Sequence, residues 1–253
     1  MKSDTRLRLG RKIEKLNNML LVLSIRVEEN LHLALKALDR RDEALAKQVI
    51  DGDLEIDLAE VDLEEECLEV LALHQPVAKD LRHIVAALKI NKDLERAGDY
   101  AANIARIARD FCRGSWIIRI PKDYFLMARK TQGMLRQSLE AFVNKSSEDA
   151  YEVLSKDDEV DRMRRSLHAE FEAKLREDVE LVTPLARLFL LARHLERLAD
   201  LATNIAEEVI YDVTGDIVRH GRKIAEAKQK KREQSTNPVD EDSVQLSGLY
   251  NLP

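Results

Sequence analysis

A thirteen-residue segment that occurs twice is the feature that most constrains how this chain can fold. Residues 93–105 read DLERAGDYAANIA and residues 194–206 read HLERLADLATNIA, so eight of the thirteen positions are identical. Each copy places a Glu, an Asp and an Asn four residues apart. On a helix this spacing stacks the three side chains along one side. The chain is therefore most simply two tandem copies of one unit, each presenting an acidic, oxygen-rich stripe.

Composition indicates that both units are built from long helices. The 253 residues include only 8 Gly and 5 Pro, 4% are aromatic and 35% are charged. A chain rich in Leu, Ala, Glu, Lys and Arg favours helix. Helical patterns run over about 12–38, 43–73, 77–111, 123–144, 147–176 and 179–213. We predict an all-α, duplicated six-helix protein.

Local signals mark helix faces and ends. Asp42 and Ser147 are candidate N-caps of the second and fifth helices, and Pro76 forbids easy continuation of the second. Gly98 lies among small residues beside Glu95, which predicts close approach of another helix. In the first helix, apolar residues at spacings of three and four predict a core-facing stripe: Leu20, Leu23, Val27, Leu31, Ala34 and Leu38.

The organisation along the chain follows from these patterns. We assign residues 1–115 to the first repeat, 116–218 to the second and 219–253 to a basic, then polar, tail. The tail combines many Lys and Arg with little apolar periodicity, and we expect helix that frays into disorder. It could be a solvated tail or a docking segment for a partner.

Other features limit the class of protein. The sequence contains no apolar run of about 18 residues and no signal-peptide pattern at its start, so we expect a cytoplasmic protein without membrane insertion. Cys67 and Cys112 fit neither a disulfide framework nor a CxxC metal site. A net charge of −6 argues against general nucleic-acid binding.

Each repeat carries a second acidic stripe on the preceding helix. Packed antiparallel, the two stripes would bring together a first carboxylate set (Asp53, Asp57, Glu95 and Asp99) and a second carboxylate set (Asp157, Asp161, Glu196 and Asp200). Carboxylates that converge away from water take up protons unless a cation joins them.

That cation could be an arginine or a metal ion. Arg96 and Arg197 are offset by about 100° from the stripes and should point elsewhere, whereas Arg82, Arg187 or Arg193 could serve. Oxygen ligands, with Asn and His194, suit iron, manganese, magnesium or zinc, as in helix bundles with inward carboxylates. A solvated acidic face and preserved packing are the alternatives.

Catalytic signatures are missing from the sequence. It shows no Ser/His/Asp or Cys/His arrangement, no phosphate-cradling Gly-rich loop and no HExxH motif. We expect a protein that is not an enzyme; a metal-dependent phosphohydrolase and a metal-free scaffold remain as alternatives.

Several separated motifs, in order, resemble the PhoU family. They are QPVAKDLRHI at 75–84, DLERAGD at 93–99, HLERLAD at 194–200, TNIAE at 203–207 and VIYDVTGDIVRH at 209–220. The resemblance spans roughly residues 10–220. It implies two pseudo-symmetric three-helix bundles side by side, with metal clusters bound on the surface. The implied ligands are the members of both carboxylate sets.

The resemblance also implies a role and partners. Proteins of this family restrain the phosphate ABC transporter and keep the phosphate sensor histidine kinase from switching on the starvation response when phosphate is sufficient. We accordingly expect the transporter's ATPase subunit and the kinase as partners, and a homodimer. This chain departs from the family pattern at Ala199, where glycine is common. Arg164 and His168 replace Glu60 and Glu64 of the first repeat, so the second set should bind fewer ions or none.

Overall fold

Six α-helices make up the described part of the chain. The structure is a computed structural model that describes residues 2–114, 116 and 118–218, with only the backbone for 2–6, 177 and 179. The tail assigned to 219–253 lies outside the described residues. In chain order the helices are α1 (Lys2–Arg40), α2 (Glu43–His74), α3 (Ala78–Arg113), α4 (Lys122–Asn144), α5 (Ser147–Glu177) and α6 (Val182–Thr214). No strand occurs among these residues, so the all-α prediction is confirmed.

The helices pack as two three-helix bundles. Helices α1, α2 and α3 contact one another in the first bundle, and α4, α5 and α6 do so in the second. Helix α3 packs along α6, and α1 also touches α4, so the two bundles share an interface. The predicted six-helix duplication is therefore confirmed.

The predicted core faces are buried. All six apolar residues of the α1 stripe are at most 2% exposed. On α3 the small residues Ala97, Ala101 and Ala105 are completely buried. Their size allows helices to approach closely, and each buried CH₂ contributes about 0.8 kcal/mol. Packing of these stripes stabilises helices whose surfaces are otherwise highly charged.

Polar contacts also join the two bundles. His83 on α3 is 4% exposed, and its Nδ1 lies 2.7 Å from Asp212 Oδ2 on α6. Within the first bundle, its Nε2 lies 2.7 Å from Asn17 Oδ1 on α1. Lys89 Nζ donates to Glu208 Oε2 at 3.1 Å. Buried polar groups keep their hydrogen-bonding partners here, so the interface between bundles combines apolar packing with specific polar pairs.

Helix boundaries confirm one predicted cap and correct another. Leu45 N donates to Asp42 Oδ1 at 3.1 Å, so Asp42 caps α2 as predicted. The N-cap of α5 is Ser146, whose Oγ accepts from Asp149 N at 3.2 Å, and the assignment to Ser147 was wrong. Ser146 has the extended backbone of a cap, whereas Ser147 already lies in the helix.

Helix α1 begins at Lys2, about ten residues earlier than the pattern predicted. Its first turns lack an apolar stripe but contain Lys, Arg and Leu, which favour helix, and no proline. The next turns reach α2: Lys12 Nζ lies 2.8 Å from Glu66 Oε1, and Lys15 pairs with the same glutamate.

None of the helices in the described residues combines the length and the apolar content needed to cross a membrane. Both cysteines are free thiols, and burial raises the pKa of Cys67 to about 12.

Candidate metal centre

The first carboxylate set lies where α2 packs against α3. Ile56 on α2 is 1% exposed and faces Gly98 on α3. A Cβ at Gly98 would stand 3.0 Å from both Ile56 Cδ1 and Ile56 Cγ2. The next residues along the two helices are Asp57 and Asp99. The small residue therefore lets α2 approach α3 at the level of the acidic stripes.

The carboxylates of this set influence one another. Burial raises the pKa of Asp53, and the charges of Asp99 and Asp57 raise it further. Burial likewise raises the pKa of Asp99, and Glu95 and Asp57 add to the effect. Desolvation and like charges both disfavour the ionised form. The structure thus brings the two predicted stripes of the first repeat together.

Two cations that the sequence analysis did not name lie beside these carboxylates. Lys92 Nζ is 3.0 Å from Glu95 Oε2, and Arg106 Nη2 is 3.7 Å from Asp53 Oδ2. Lys92 precedes Glu95 by three positions, a spacing at which helical side chains meet, so this pair was readable from the sequence. Of the arginines considered, Arg187 instead pairs with Asp110 at 3.0 Å.

The buried Oε2 of Glu95 has a cationic partner on its own helix. It lies 3.0 Å from Lys92 Nζ, and this pairing raises the pKa of Lys92. Lys92 is 60% exposed, so water solvates most of its charge and the ion pair offsets the repulsion among the carboxylates only weakly. Glu60, 8% exposed, extends this acidic surface, and burial raises its pKa.

The second carboxylate set also converges, between α5 and α6. Burial raises the pKa of Asp157 to about 6, and the charges of Asp161 and Asp200 contribute. Burial also raises the pKa of Glu196 and of Asp200. The second repeat therefore reproduces the convergence of stripes seen in the first.

Arginine side chains form ion pairs with the carboxylates of this second set. Arg164 Nε lies 2.9 Å from Glu196 Oε1, and Arg197 Nη1 donates to Asp200 Oδ2 at 2.9 Å. Arg165 Nη1 is 3.6 Å from Asp161 Oδ2. The expectation that Arg197 points away from the stripe was wrong, because a long side chain three residues before its partner can reach it.

The nitrogen-containing side chains considered as ligands have other contacts. Asn103 Oδ1 accepts from Arg106 Nη1 at 2.8 Å, and Asn204 hydrogen-bonds Asp93. The His194 ring lies 5.6 Å from the Tyr100 ring of α3. These contacts leave the carboxylates as the donors of each set.

The donor chemistry of the first set fits a hard metal ion better than that of the second. Two carboxyl groups with a raised pKa, Asp53 and Asp99, next to Asp57 and a buried Glu95 oxygen, suit an oxygen-ligated cation. As the side chains stand, no group of three or more His, Cys, Asp or Glu within the described residues has the closeness of a formed ligand set.

Comparison with known proteins identifies the family. The family model described as "PhoU domain" matches residues 20–108 and 125–209, one match in each bundle. The chain belongs to the PhoU family. A PhoU-family relative from Clostridium acetobutylicum, named "Phosphate-specific transport system accessory protein PhoU homolog", is 34% identical over 204 residues, which cover 80% of this chain and 93% of the relative.

Solved structures of PhoU proteins share the fold. The crystal structure of PhoU from Pseudomonas aeruginosa aligns with a TM-score of 0.79 at 34% identity, covering 82% of this chain and 99% of that one. The phosphate transport system regulatory protein PhoU from Streptococcus pneumoniae aligns with a TM-score of 0.77 at 28% identity, covering 83% and 99%. The resemblance inferred from the motifs and the expected PhoU fold are confirmed.

Proposed function

We propose that this PhoU-family chain is a metal-binding regulator of phosphate uptake and of phosphate-starvation signalling. Its relatives are named as accessory proteins of the phosphate-specific transport system, which supports the regulatory role. The observation that carries the metal site is the convergence of four carboxylates between α2 and α3, where burial and like charges raise the pKa of Asp53 and Asp99.

Asp53, Asp57, Glu95 and Asp99 would hold the metal. A divalent or trivalent ion such as iron, zinc, manganese or magnesium would supply positive charge where carboxylates repel one another. Protons compete for the same oxygens, so we expect affinity to rise with pH as Asp53 and Asp99 ionise.

Asp157, Asp161, Glu196 and Asp200 form the weaker candidate. Arginine contacts at Asp161, Glu196 and Asp200 already supply positive charge to this set. A metal ion bound there would be repelled by those guanidinium groups, which cannot lose their protons. We therefore propose that the first set binds metal more tightly than the second.

The metal would act by changing a surface rather than by catalysis. Neutralising the first carboxylate set would determine which surface α2 and α3 present to a partner. We propose the ATPase subunit of the phosphate ABC transporter and the phosphate sensor histidine kinase as partners on the cytoplasmic side, with the chain acting as a homodimer. The chain would then restrain both partners when the phosphate supply is sufficient.

The test combines metal analysis with partner binding. Protein purified without chelator is analysed by inductively coupled plasma mass spectrometry, and pull-downs with the ATPase subunit and the kinase are made at high and low phosphate. The variant Glu95→Ala/Asp99→Ala should lose bound metal and partner binding. The matched control Asp51→Ala/Glu55→Ala removes two exposed carboxylates of α2 outside the set and should keep both.

A second variant tests the ranking of the two sets. Arg164→Glu restores the carboxylate that the first repeat has at Glu60, so it should raise the metal content of the second set. Unchanged partner binding by Glu95→Ala/Asp99→Ala, together with absence of stoichiometric metal, would refute the proposal. Turnover of a generic phosphate ester with added manganese would instead favour a phosphohydrolase.

A further inference from the structure

A cavity of about 330 Å³ lies in the second bundle between α4, α5 and α6. Helix α4 contributes Tyr124, α5 contributes Arg164 and His168, and α6 contributes Phe189 and Arg193 to its wall. We call it the arginine cavity. Its volume falls at the lower end of the range of about 300–1,000 Å³ for small-molecule sites.

The charges on the wall of the arginine cavity favour an anion. Three arginines (Arg164, Arg193 and Arg197) and one carboxylate, Glu196, line it, and Asp200 outside the lining pairs with Arg197, which leaves a net charge of +1. Arg164 contacts Glu196 and Arg197 contacts Asp200, but each guanidinium has further N–H donors. Arg193 has no carboxylate partner within the described residues. The cavity thus holds a positive charge that no side chain of the described chain neutralises.

Tyr124 adds a hydroxyl donor to the wall of the same cavity. The residue is 4% exposed, and its hydroxyl has no hydrogen-bond partner among the described residues. Burial raises the pKa of Tyr124, and the charge of Glu170 adds to the effect, so the hydroxyl stays protonated. An anion in the cavity would accept a hydrogen bond from it.

Aromatic rings form another part of the wall. The rings of His168 and Phe189 lie 5.0 Å apart on the wall, and the ring of Phe171, outside the lining, lies 5.4 Å from Phe189. His168 Nδ1 also lies 3.4 Å from Oε1 of Glu172, a residue that does not line the cavity. Inorganic phosphate has too few atoms to contact the guanidinium groups and this apolar wall together. The ring surface suits a planar organic body attached to the anion.

The first repeat has a net charge of the opposite sign at the corresponding positions. Glu60 and Glu64 stand where the second repeat has Arg164 and His168, whereas Lys92 and Arg96 match Arg193 and Arg197 in charge. With Glu95 and Asp99 included, four carboxylates meet two cations there, a net charge of −2. Duplication of one unit has therefore produced one acidic surface and one cationic cavity.

We propose that the arginine cavity binds a phosphate monoester with a planar body, of the size of a mononucleotide. Guanidinium forks match the geometry of phosphate oxygens, Tyr124 donates a further hydrogen bond, and Phe189 covers the planar body. The second bundle is then a site for a small organic phosphate, independent of metal binding in the first bundle.

The test is isothermal titration calorimetry of the full chain with AMP, adenosine and inorganic phosphate. A chelator is present throughout, which removes binding of phosphate through a metal ion. AMP should bind, inorganic phosphate should bind at least about tenfold more weakly, and adenosine should not bind measurably.

Three variants locate the site. Arg193→Gln should weaken AMP binding by about tenfold or more, and the exposed guanidinium has no ion pair whose loss would unfold the protein. Arg162→Gln, the same change on an arginine of α5 outside the cavity, should leave AMP binding unchanged. Phe189→Leu should weaken AMP binding and leave phosphate binding unaltered.

Each contrary result overturns a defined part. If neither AMP nor phosphate binds, or if AMP and adenosine bind equally well, the proposal of an anion site is refuted. If phosphate binds as tightly as AMP, the proposal that the ligand has a planar organic body is refuted. Equal effects of Arg193→Gln and Arg162→Gln place the binding elsewhere on the protein.

Discussion

Gly98 sits at the contact that brings the first acidic stripes together, and Gly98→Ala tests that contact. An alanine Cβ would stand 3.0 Å from Ile56 Cδ1, 3.0 Å from Ile56 Cγ2 and 3.7 Å from Ile56 Cβ. Carbon atoms in favourable contact are about 3.5–4.0 Å apart. Helices α2 and α3 would have to separate by roughly half an ångström at this level.

Two opposing effects decide the change in the free energy of unfolding. Alanine in place of glycine in a helix interior stabilises by about 1 kcal/mol. Overpacking a filled core costs about 1–3 kcal/mol. The upper part of that range applies, because Ile56 is 1% exposed and its β-branched side chain has one preferred rotamer in a helix. We expect a net loss of about 1 kcal/mol, or about 2–4 °C in Tm.

The assay is thermal and urea unfolding followed by circular dichroism, in chelator so that metal does not contribute. Gly133→Ala is the matched control, because Gly133 also lies inside a helix and a Cβ there would meet nothing within 4 Å. That control should be stabilised by up to about 1 kcal/mol. Equal stabilisation of both variants would show that the contact between α2 and α3 is not tight.

The second repeat suggests how the overpacking can be relieved. Val160 and Ala199 occupy the positions that correspond to Ile56 and Gly98, and both are 1% exposed. Ile56→Val alone should cost about 0.5–1.5 kcal/mol. Combined with Gly98→Ala it should cost less than the sum of the single changes, with a coupling of about 0.5 kcal/mol or more. Additive effects would contradict a direct contact.

Two further predictions concern charge and capping. Because burial and like charges raise the pKa of Asp157 to about 6, its ionisation destabilises the fold as pH rises from about 4 to about 6. Asp157→Asn should therefore raise Tm at pH 7.5 and hardly change it near pH 4, in chelator; an equal gain at both values would contradict the assignment. Asp42→Ala should cost about 1 kcal/mol, because Leu45 N loses its acceptor. The control Asp39→Ala removes an exposed carboxylate and should not lower the free energy of unfolding. Similar losses for the two variants in urea unfolding would show that Asp42 acts by its charge alone.

Local sequence signals were sufficient for most of the fold. The apolar stripe of α1, the cap at Asp42 and the break before Pro76 act over one or two turns, so neighbouring residues determine them. The error of one residue at Ser146 has the same origin, since two adjacent serines offer the same cap and only the backbone chooses between them. The start of α1 at Lys2 was missed because its first turns lack apolar periodicity.

The duplication by itself determined that two acidic stripes exist in each half, and the family motifs determined the architecture. Only the tertiary structure decided which charges meet. The pairing of Arg164 with Glu196, the reach of Arg197 to Asp200 and the unpaired Arg193 beside Tyr124 depend on how α4, α5 and α6 pack. Side chains far apart in the chain meet through helix packing, which spacing along one helix does not specify. The sequence already showed Arg164 and His168 in place of Glu60 and Glu64. That these residues line one cavity with Arg193 and Tyr124 appeared only when the helices were placed in space.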